Sequence, residues 1–488
     1  MKSLKHNAVM NTILSISTIV FPLITYPYVS RTLGVEMNGR LSFAQSTINY
    51  FSLFATLGLT TYGIKACAQV RDSKEKLSRR VQELLIINII TTSIVFVALI
   101  ASILIVPKFR QEHTLLLIYS LNILLNVAGL NWLYSALEKY DYITIRSIVF
   151  KLISIILMFI FVHNPSDGYI YACITVFANV GSNVLNIIRA RKYITFKPLG
   201  NYKIKQHIKP TFTLFSTYLA VNVYTSLDNV MLGFISGNFE VGIYHTAVRI
   251  QGILSALVTS VGTVLIPRLS YYAHNDEKKG FIRILKKSYK VHVMLAVPVT
   301  VFFIAFAPVT VLVIAGAKFY GAVVPMQIII GTVIVTALSN IIGMQIFIPL
   351  GKENAFLKAV ICGAVTDLIL NAILMPSYGA IGAAIATLIA QIVQFTLQMI
   401  QGWKYVKEIF EVISAIKIAI GSVLACGIAY VLMNVFYKNA HVVVSLCISA
   451  AIFGMIYALY LWIIDYKAFT DTVEEFSRGK IKRHKQTN

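Results

Sequence analysis

The sequence predicts an all-α integral membrane protein of about fourteen transmembrane helices. Composition is the first reason: 57% of the 488 residues are hydrophobic and only 13% are charged, about half the charged fraction of a soluble chain. Second, the apolar residues do not gather into separate cores. They recur in runs of about 18–25 residues, each long enough to cross a hydrocarbon layer of about 30 Å. Third, Lys and Arg alternate between the intervening loops, rich then poor, as they do on the two sides of a membrane protein.

Taken in order, the first six spans are expected near residues 9–30, 41–63, 83–106, 114–136, 145–162 and 170–188. The next six fall near 211–235, 244–268, 291–315, 324–348, 355–375 and 380–402, and two more near 412–435 and 442–464. The basic start, Met1 to Asn7, precedes an apolar run too long for a signal-peptide core and without a small-residue cleavage site, so this run is expected to be a permanent helix. One set of segments holds about 33 of the 43 basic residues: the N-terminus, Lys65–Arg80, Lys139–Arg146, Arg189–Lys209, Lys278–Lys290, Lys352–Lys358, Lys404–Lys407 and the tail after Asp465. The opposite set holds about six and is short, as at Pro107–His113, His163–Tyr169, Pro376–Gly379 and Tyr437–His441. That alternation places both termini in the cytoplasm and requires an even number of spans. The tail, with Arg478, Lys480, Lys482, Arg483 and Lys485, suits attraction to anionic lipid.

A repeat is visible in the spacing. Gly39, Ala44 and Lys65 are separated as Gly242, Ala247 and Arg268 are, in spans 2 and 8. Both halves start basic and inside, which describes a parallel repeat of six helices each. The expected divisions are an N-terminal lobe at 1–200, a C-terminal lobe at 201–405, two further helices at 406–466 and the basic tail at 467–488.

Several functions are disfavoured. The net charge of +23 is spread over short loops and forms no aromatic-interleaved basic groove, so nucleic acid is not an expected partner. The five cysteines (67, 173, 362, 426 and 447) lie far apart with no metal-ligand spacing. The sequence contains no GxxxxGK[ST], HExxH or GxSxG, so neither an enzyme nor a cofactor is expected. A polysaccharide polymerase or ligase would carry a long outer loop, which the sequence lacks.

Ionisable side chains within spans cost about 2.5–3.5 kcal/mol on insertion scales and are therefore functional candidates. Asp228 in span 7 and Arg249 in span 8 lie at similar expected depths, either as an ion pair that couples transport or as a pair that fixes helix register. Asp367 in span 11 shares a face with Asn371. Arg31, between Pro27 and Gly34, and Lys318, on the approach to span 10, either snorkel to headgroups or give a cavity a positive lining. Amides form a second pattern: Gln45 with Asn49, Asn122 with Asn126, and the stripe Gln391, Gln394 and Gln398. Such stripes either hydrogen-bond between helices or line a hydrated cavity.

Several stretches together resemble the bacterial polysaccharide flippases of the Wzx type. They run from Phe21-Pro22 through Thr25-Tyr26-Pro27-Tyr28 to Ser30-Arg31-Thr32-Leu33-Gly34, then Asn49-Tyr50-Phe51 and Tyr62-Gly63. The second half adds Leu227-Asp228, Val241-Gly242-Ile243-Tyr244, Pro349-Leu350-Gly351-Lys352-Glu353 and Gly379-Ala380-Ile381-Gly382-Ala383-Ala384. The resemblance covers about residues 1–405. It implies two six-helix lobes around a central cavity in the bacterial inner membrane, with a polysaccharide polymerase and chain-length regulator as partners. The implied substrate is an oligosaccharide repeat unit of O-antigen or capsule on an undecaprenyl pyrophosphate carrier, turned from the inner to the outer leaflet. In that reading Arg31, Arg249 and Lys318 attract the pyrophosphate, Gln45, Asn49, Asn122, Asn126, Gln391 and Gln394 meet sugar hydroxyls, and Asp228 and Asp367 couple an ion. Lipid II flippases carry extra cations deeper in span 1, where this sequence reads Ile19-Val20-Phe21. A drug exporter of the same superfamily is the alternative.

Overall fold

The computed structural model describes residues 4–436 and 441–464; the expected tail at 467–488 and residues 437–440 lie outside the described residues. Nineteen α-helices follow one another, and among the described residues no strand interrupts them. In the first half they are α1 Leu4–Thr56, α2 Leu59–Ala68, α3 Lys74–Ile105, α4 Pro107–Gln111, α5 His113–Gly129, α6 Asn131–Ala136, α7 Tyr140–Phe161, α8 Gly168–Val176, α9 Asn183–Ala190 and α10 Lys205–Ile235. The second half comprises α11 Asn238–His274, α12 Lys278–Ala305, α13 Ala307–Ile314, α14 Val323–Ile330, α15 Thr332–Asn340, α16 Glu353–Gln401, α17 Trp403–Ile409, α18 Val412–Phe436 and α19 Val442–Ile463. Two π-helical turns, Phe177–Gly181 and Ile341–Phe347, follow α8 and α15.

Eleven stretches are long and apolar enough to cross a membrane by length and composition. Two of them, Val9–Ala68 and Glu353–Gln401, each hold two expected spans. They divide at Gly34 (φ 76°) and Gly379 (φ 50°), backbone conformations that a residue without Cβ reaches at little cost. With α10 covering the seventh expected span, about fourteen spans result. The connections expected at residues 31–40 and at Pro376–Gly379 are thus glycine kinks rather than loops. Helices also extend further into the basic segments than expected. α3 begins at Lys74 rather than near 83, and α7 begins at Tyr140 rather than near 145.

The chain forms two compact units, Met1–His245 and Thr246–Asn488. In the first, Leu77, Val81 and Leu84 of α3 pack with Leu133 and Tyr134 of α6 and Cys67 of α2, all essentially buried. In the second, Phe302 of α12 stacks on Phe306 at 4.6 Å and meets Phe453 of α19 at 5.1 Å. The Tyr457 hydroxyl donates to the Met294 carbonyl at 3.0 Å, so the last two helices belong to this unit's core. Large apolar side chains such as Val97, Ile105 and Ile413 lie on the outside, each more than two-thirds exposed. A membrane is the solvent that suits such a surface.

The repeat seen in the sequence has a backbone counterpart. Gly34 and Gly237, five residues before Gly39 and Gly242, both take positive φ (76° and 93°). Gly39 and Gly242 then meet across one crossing within the first unit. A Cβ on Gly39 would fall 1.7 Å from the Asn238 carbonyl oxygen, and one on Gly242 would fall 2.3 Å from that of Val35. Beside the crossing, Arg40 Nε donates to Glu112 at 2.9 and 3.1 Å, and Asn238 Nδ2 donates to the same carboxylate at 2.8 Å.

Candidate substrate cavity

The first unit contains a cavity of about 240 Å³ lined by Gln45, Ile48, Asn49, Ser52, Tyr119, Asn122, Asn126, Asn131, Asn179, Val180 and Asn183. Seven of these eleven side chains are amides and none is charged. The second half of α1 brings Gln45 and Asn49, one turn apart, while α5 brings Asn122 and Asn126. Four of the amide positions read from the sequence therefore converge on one space.

The others come from breaks in helices. At Leu130 the backbone turns left-handed (φ 44°) and ends α5, so Asn131 starts α6 at the cavity wall. Asn179 sits in the π turn Phe177–Gly181, and Asn183 opens α9. Breaks free backbone carbonyls, which are costly in an apolar medium unless paired. Asparagines satisfy them: Asn183 Nδ2 donates to the Leu125 carbonyl at 3.2 Å, and Asn186 Nδ2 donates to that of Gly129. Gly129 allows this approach, since a Cβ there would come 2.9 Å from Asn183 Nδ2.

Hydrogen bonding orients several of these amides. Asn131 Oδ1 accepts from both Arg146 Nη2 (3.1 Å) and Asn186 Nδ2 (3.2 Å), which leaves its NH2 as the group it can offer. Asn122 and Asn183 use their NH2 on the Tyr119 and Leu125 carbonyls and so offer oxygens. Among the described residues, Gln45, Asn49, Asn126 and Asn179 make no side-chain hydrogen bond. The wall thus presents donors and acceptors side by side without fixed charge. Hydroxyl groups, each able to donate and accept, match such a wall; an organic cation would want a carboxylate.

Arg146, like Asn131, Asn179 and Asn183, is not among the site residues expected from the sequence. It lies in α7, 7% exposed, with Nε and Nη1 lacking hydrogen-bond partners among the described residues. Its remaining donor fixes Asn131. Removing a buried charge without a counter-ion relieves desolvation, so R146M is expected to keep or raise thermal stability while transport falls. Equal losses of stability and transport would make Arg146 a fold residue instead.

The other expected site residues are spread over both units. Asp228 is buried and accepts a hydrogen bond from the Tyr244 hydroxyl, whereas Arg249 lies half-buried in the second unit. Asp367 is buried, and Asn371 Nδ2 donates to it at 3.2 Å. Gln391 accepts from Thr336 at 2.8 Å and Gln394 donates to Ser339 at 3.4 Å, so this stripe joins α16 to α15. Arg31 is exposed and donates to the Pro27 carbonyl at 2.8 Å, and Lys318 is exposed in the turn Ala317–Ala322.

Comparison with known proteins follows the same lines. A family described as polysaccharide biosynthesis protein matches residues 4–273. The chain is 27% identical over 399 residues to a putative O-antigen transporter of Escherichia coli K12, covering 81% of this chain and 96% of that one. It is 24% identical to one from Shigella dysenteriae, covering 82% and 100%. Among solved structures, the lipid II flippase MurJ superposes with a TM-score of 0.73 at 16% identity, over 93% of this chain and 99% of that one. A MATE-family multidrug transporter in an inward-facing conformation gives 0.61 at 16% identity, over 82% and 99%. The extent of the family match settles the assignment: the chain belongs to the polysaccharide biosynthesis protein family, and its all-helical fold is the one seen in MurJ and the inward-facing MATE transporter.

Proposed function

We propose that the protein turns undecaprenyl-pyrophosphate-linked oligosaccharide repeat units from the cytoplasmic to the outer leaflet of the bacterial inner membrane, supplying O-antigen or capsule assembly. The observation that carries this reading is the uncharged, amide-lined cavity, whose mixed donors and acceptors suit sugar hydroxyls. The O-antigen transporters to which the chain is similar over most of its length support the same substrate class. The absence of carboxylates from the wall disfavours a cationic drug. Arg31, Arg249 and Lys318 are proposed to attract the pyrophosphate, whose charge is felt strongly where water is excluded. The lipid chain would remain in the bilayer, and both termini would lie in the cytoplasm.

Asp228 and Asp367 are proposed to couple an ion gradient to alternating access. On that basis D228N is expected to lower flipping at least about tenfold at normal membrane levels; unchanged flipping would remove Asp228 from the coupling path. The function itself is tested by deleting the gene and assaying the orientation of lipid-linked intermediates. Build-up on the cytoplasmic leaflet is expected. Normal outward delivery with missing polymer would place the defect in the partner polymerase or chain-length regulator and overturn the reading.

A further inference from the structure

The second unit holds a buried polar ring that neither the sequence reading nor the proposed substrate path uses. His292 of α12 is fully buried. Its Nδ1 lies 2.8 Å from the Ser288 carbonyl, one turn earlier, and a carbonyl only accepts, so Nδ1 carries the hydrogen. In the neutral ring Nε2 is then a bare acceptor, and it is buried without a hydrogen-bond partner among the described residues. Leaving such a group unpaired costs about 1–3 kcal/mol, a cost that calls for an explanation.

The surroundings supply one. Ser288 Oγ donates to Gln345 Oε1 at 2.7 Å, and Gln345 Nε2 donates to Asn340 Oδ1 at 3.2 Å. Asn340 ends α15, and Gln345 lies inside the π turn Ile341–Phe347, a helical distortion often found where function needs it. The chain of bonds ends at Asn340, beside Gly262 of α11, and His292 Nε2 borders the same glycine. A Cβ on Gly262 would lie 2.5 Å from Asn340 Oδ1, 2.6 Å from Gln345 Nε2 and 3.4 Å from His292 Nε2. Ser288 links one side of the imidazole to Gln345 and Asn340. On the other side, two acceptors, His292 Nε2 and Asn340 Oδ1, border the space that a Cβ on Gly262 would take.

We propose that His292 is a proton-binding site of the second unit, and that loading it closes this ring and tightens the π turn. One proton from hydronium bonds to the Nε2 lone pair as its O–H bond breaks and a water molecule is left, the imidazole becomes a cation, and the new N–H donates toward Asn340 Oδ1. The proposal does not rest on the substrate reading, because it concerns a different cluster and its test uses no substrate. Other titratable groups are near but not on the ring. On α12 itself these are Lys286, Lys287, Tyr289 and Lys290. α18 brings Lys417, Cys426 and Tyr430, α17 brings Lys404, Tyr405, Lys407 and Glu408, α19 brings Tyr457, and α11 brings Arg268, Tyr271 and Tyr272. α13, α14, α15 and the π turn bring none. Among the described residues none of these groups forms a hydrogen bond or ion pair with the imidazole.

The test is solid-state 15N NMR of the full-length protein in liposomes, with ring-labelled histidine and His292 assigned by the signal lost in H292Q. Nε2 of the wild type is expected to pass from bare to protonated as the pH falls from about 7 to about 4. Amide exchange over 341–347, corrected for its intrinsic pH dependence, should slow in the same range, and H292Q should abolish that change. N340D, which sets a carboxylate opposite Nε2, should raise the midpoint by about one pH unit or more, so the proposal stays testable even if H292Q fails to fold. An Nε2 signal that stays bare or stays protonated throughout overturns the proposal. So does a π turn indifferent to the titration, or a response to Na⁺ at fixed pH in place of a response to protons.

Discussion

G39A is expected to abolish transport, although it adds a single methyl group. The Cβ would sit 1.7 Å from the Asn238 carbonyl oxygen and 2.9 Å from the Gly242 nitrogen, both backbone atoms that no rotamer change can move aside. Relief needs more than 1 Å of separation between α1 and the first turn of α11, and overpacking of this kind costs about 1–3 kcal/mol or more. The displacement would also pull apart the Arg40–Glu112–Asn238 cluster, in which one carboxylate holds both helices. A conformation that contains this crossing would lose about 5–150-fold in population, which is what 1–3 kcal/mol means. Complementation of polysaccharide export, read against protein levels in the membrane, checks this. G252A supplies the control, since nothing lies within 4 Å of its Cβ and alanine favours a helix interior by about 0.5–1 kcal/mol. Normal export by G39A would mean that the crossing yields freely and that the Gly39–Gly242 approach has no functional weight.

The pair Gly39 and Gly242 also marks what could be read from the sequence and what could not. Their matched spacing was legible as a repeat, but that they touch each other was not, because spacing along a chain carries no information about which faces meet. Span number was legible because length and hydropathy are properties of single segments. The four amides Gln45, Asn49, Asn122 and Asn126 were legible because i, i+4 spacing declares a shared helix face. By that same rule Asn179, Asn183 and Asn186 form a stripe at i, i+4, i+7, and this signal could have been found. Asn131 and Arg146 are different. Asn131 reaches the cavity because of a left-handed residue at Leu130, and that break is what sets Asn131 against Arg146 of α7. Both depend on where helices break, which local hydropathy does not report. The π turn that places Gln345 beside Asn340 belongs to the same class.

The second large effect concerns the connector between the expected lobes, which α3 holds from one side. Gln82 uses all of its hydrogen-bonding capacity there. Its NH2 donates to the Thr195 and Lys197 carbonyls at 2.8 and 2.9 Å, and its oxygen accepts from Leu199 N and the Tyr202 hydroxyl at 3.3 and 2.8 Å. Glu83, the next residue, is 4% exposed and accepts from Lys203 N at 2.7 Å and from His207 Nε2, itself fully buried, at 2.8 Å. The opposite ring nitrogen of His207 meets the Tyr62 hydroxyl at 2.8 Å, so three helices and the connector share one buried polar chain. Removing one member strands the others. H207L leaves the Glu83 carboxylate buried with too few donors, and E83L leaves the imidazole and the Lys203 N–H without theirs. Each is expected to cost about 3–5 kcal/mol, seen as a large fall in thermal midpoint of the purified protein in detergent. The double variant E83L/H207L removes the carboxylate and its nearest side-chain partner together, leaving only the partly exposed Arg80, 3.8 Å away, to turn to solvent, and apolar replacement of both is far cheaper than loss of one. It should therefore be more stable than the sum of the single losses by about 1–3 kcal/mol. Strictly additive losses would show that Glu83 and His207 act independently, each through its own backbone contacts, and that the buried pair itself does not hold the connector to α3.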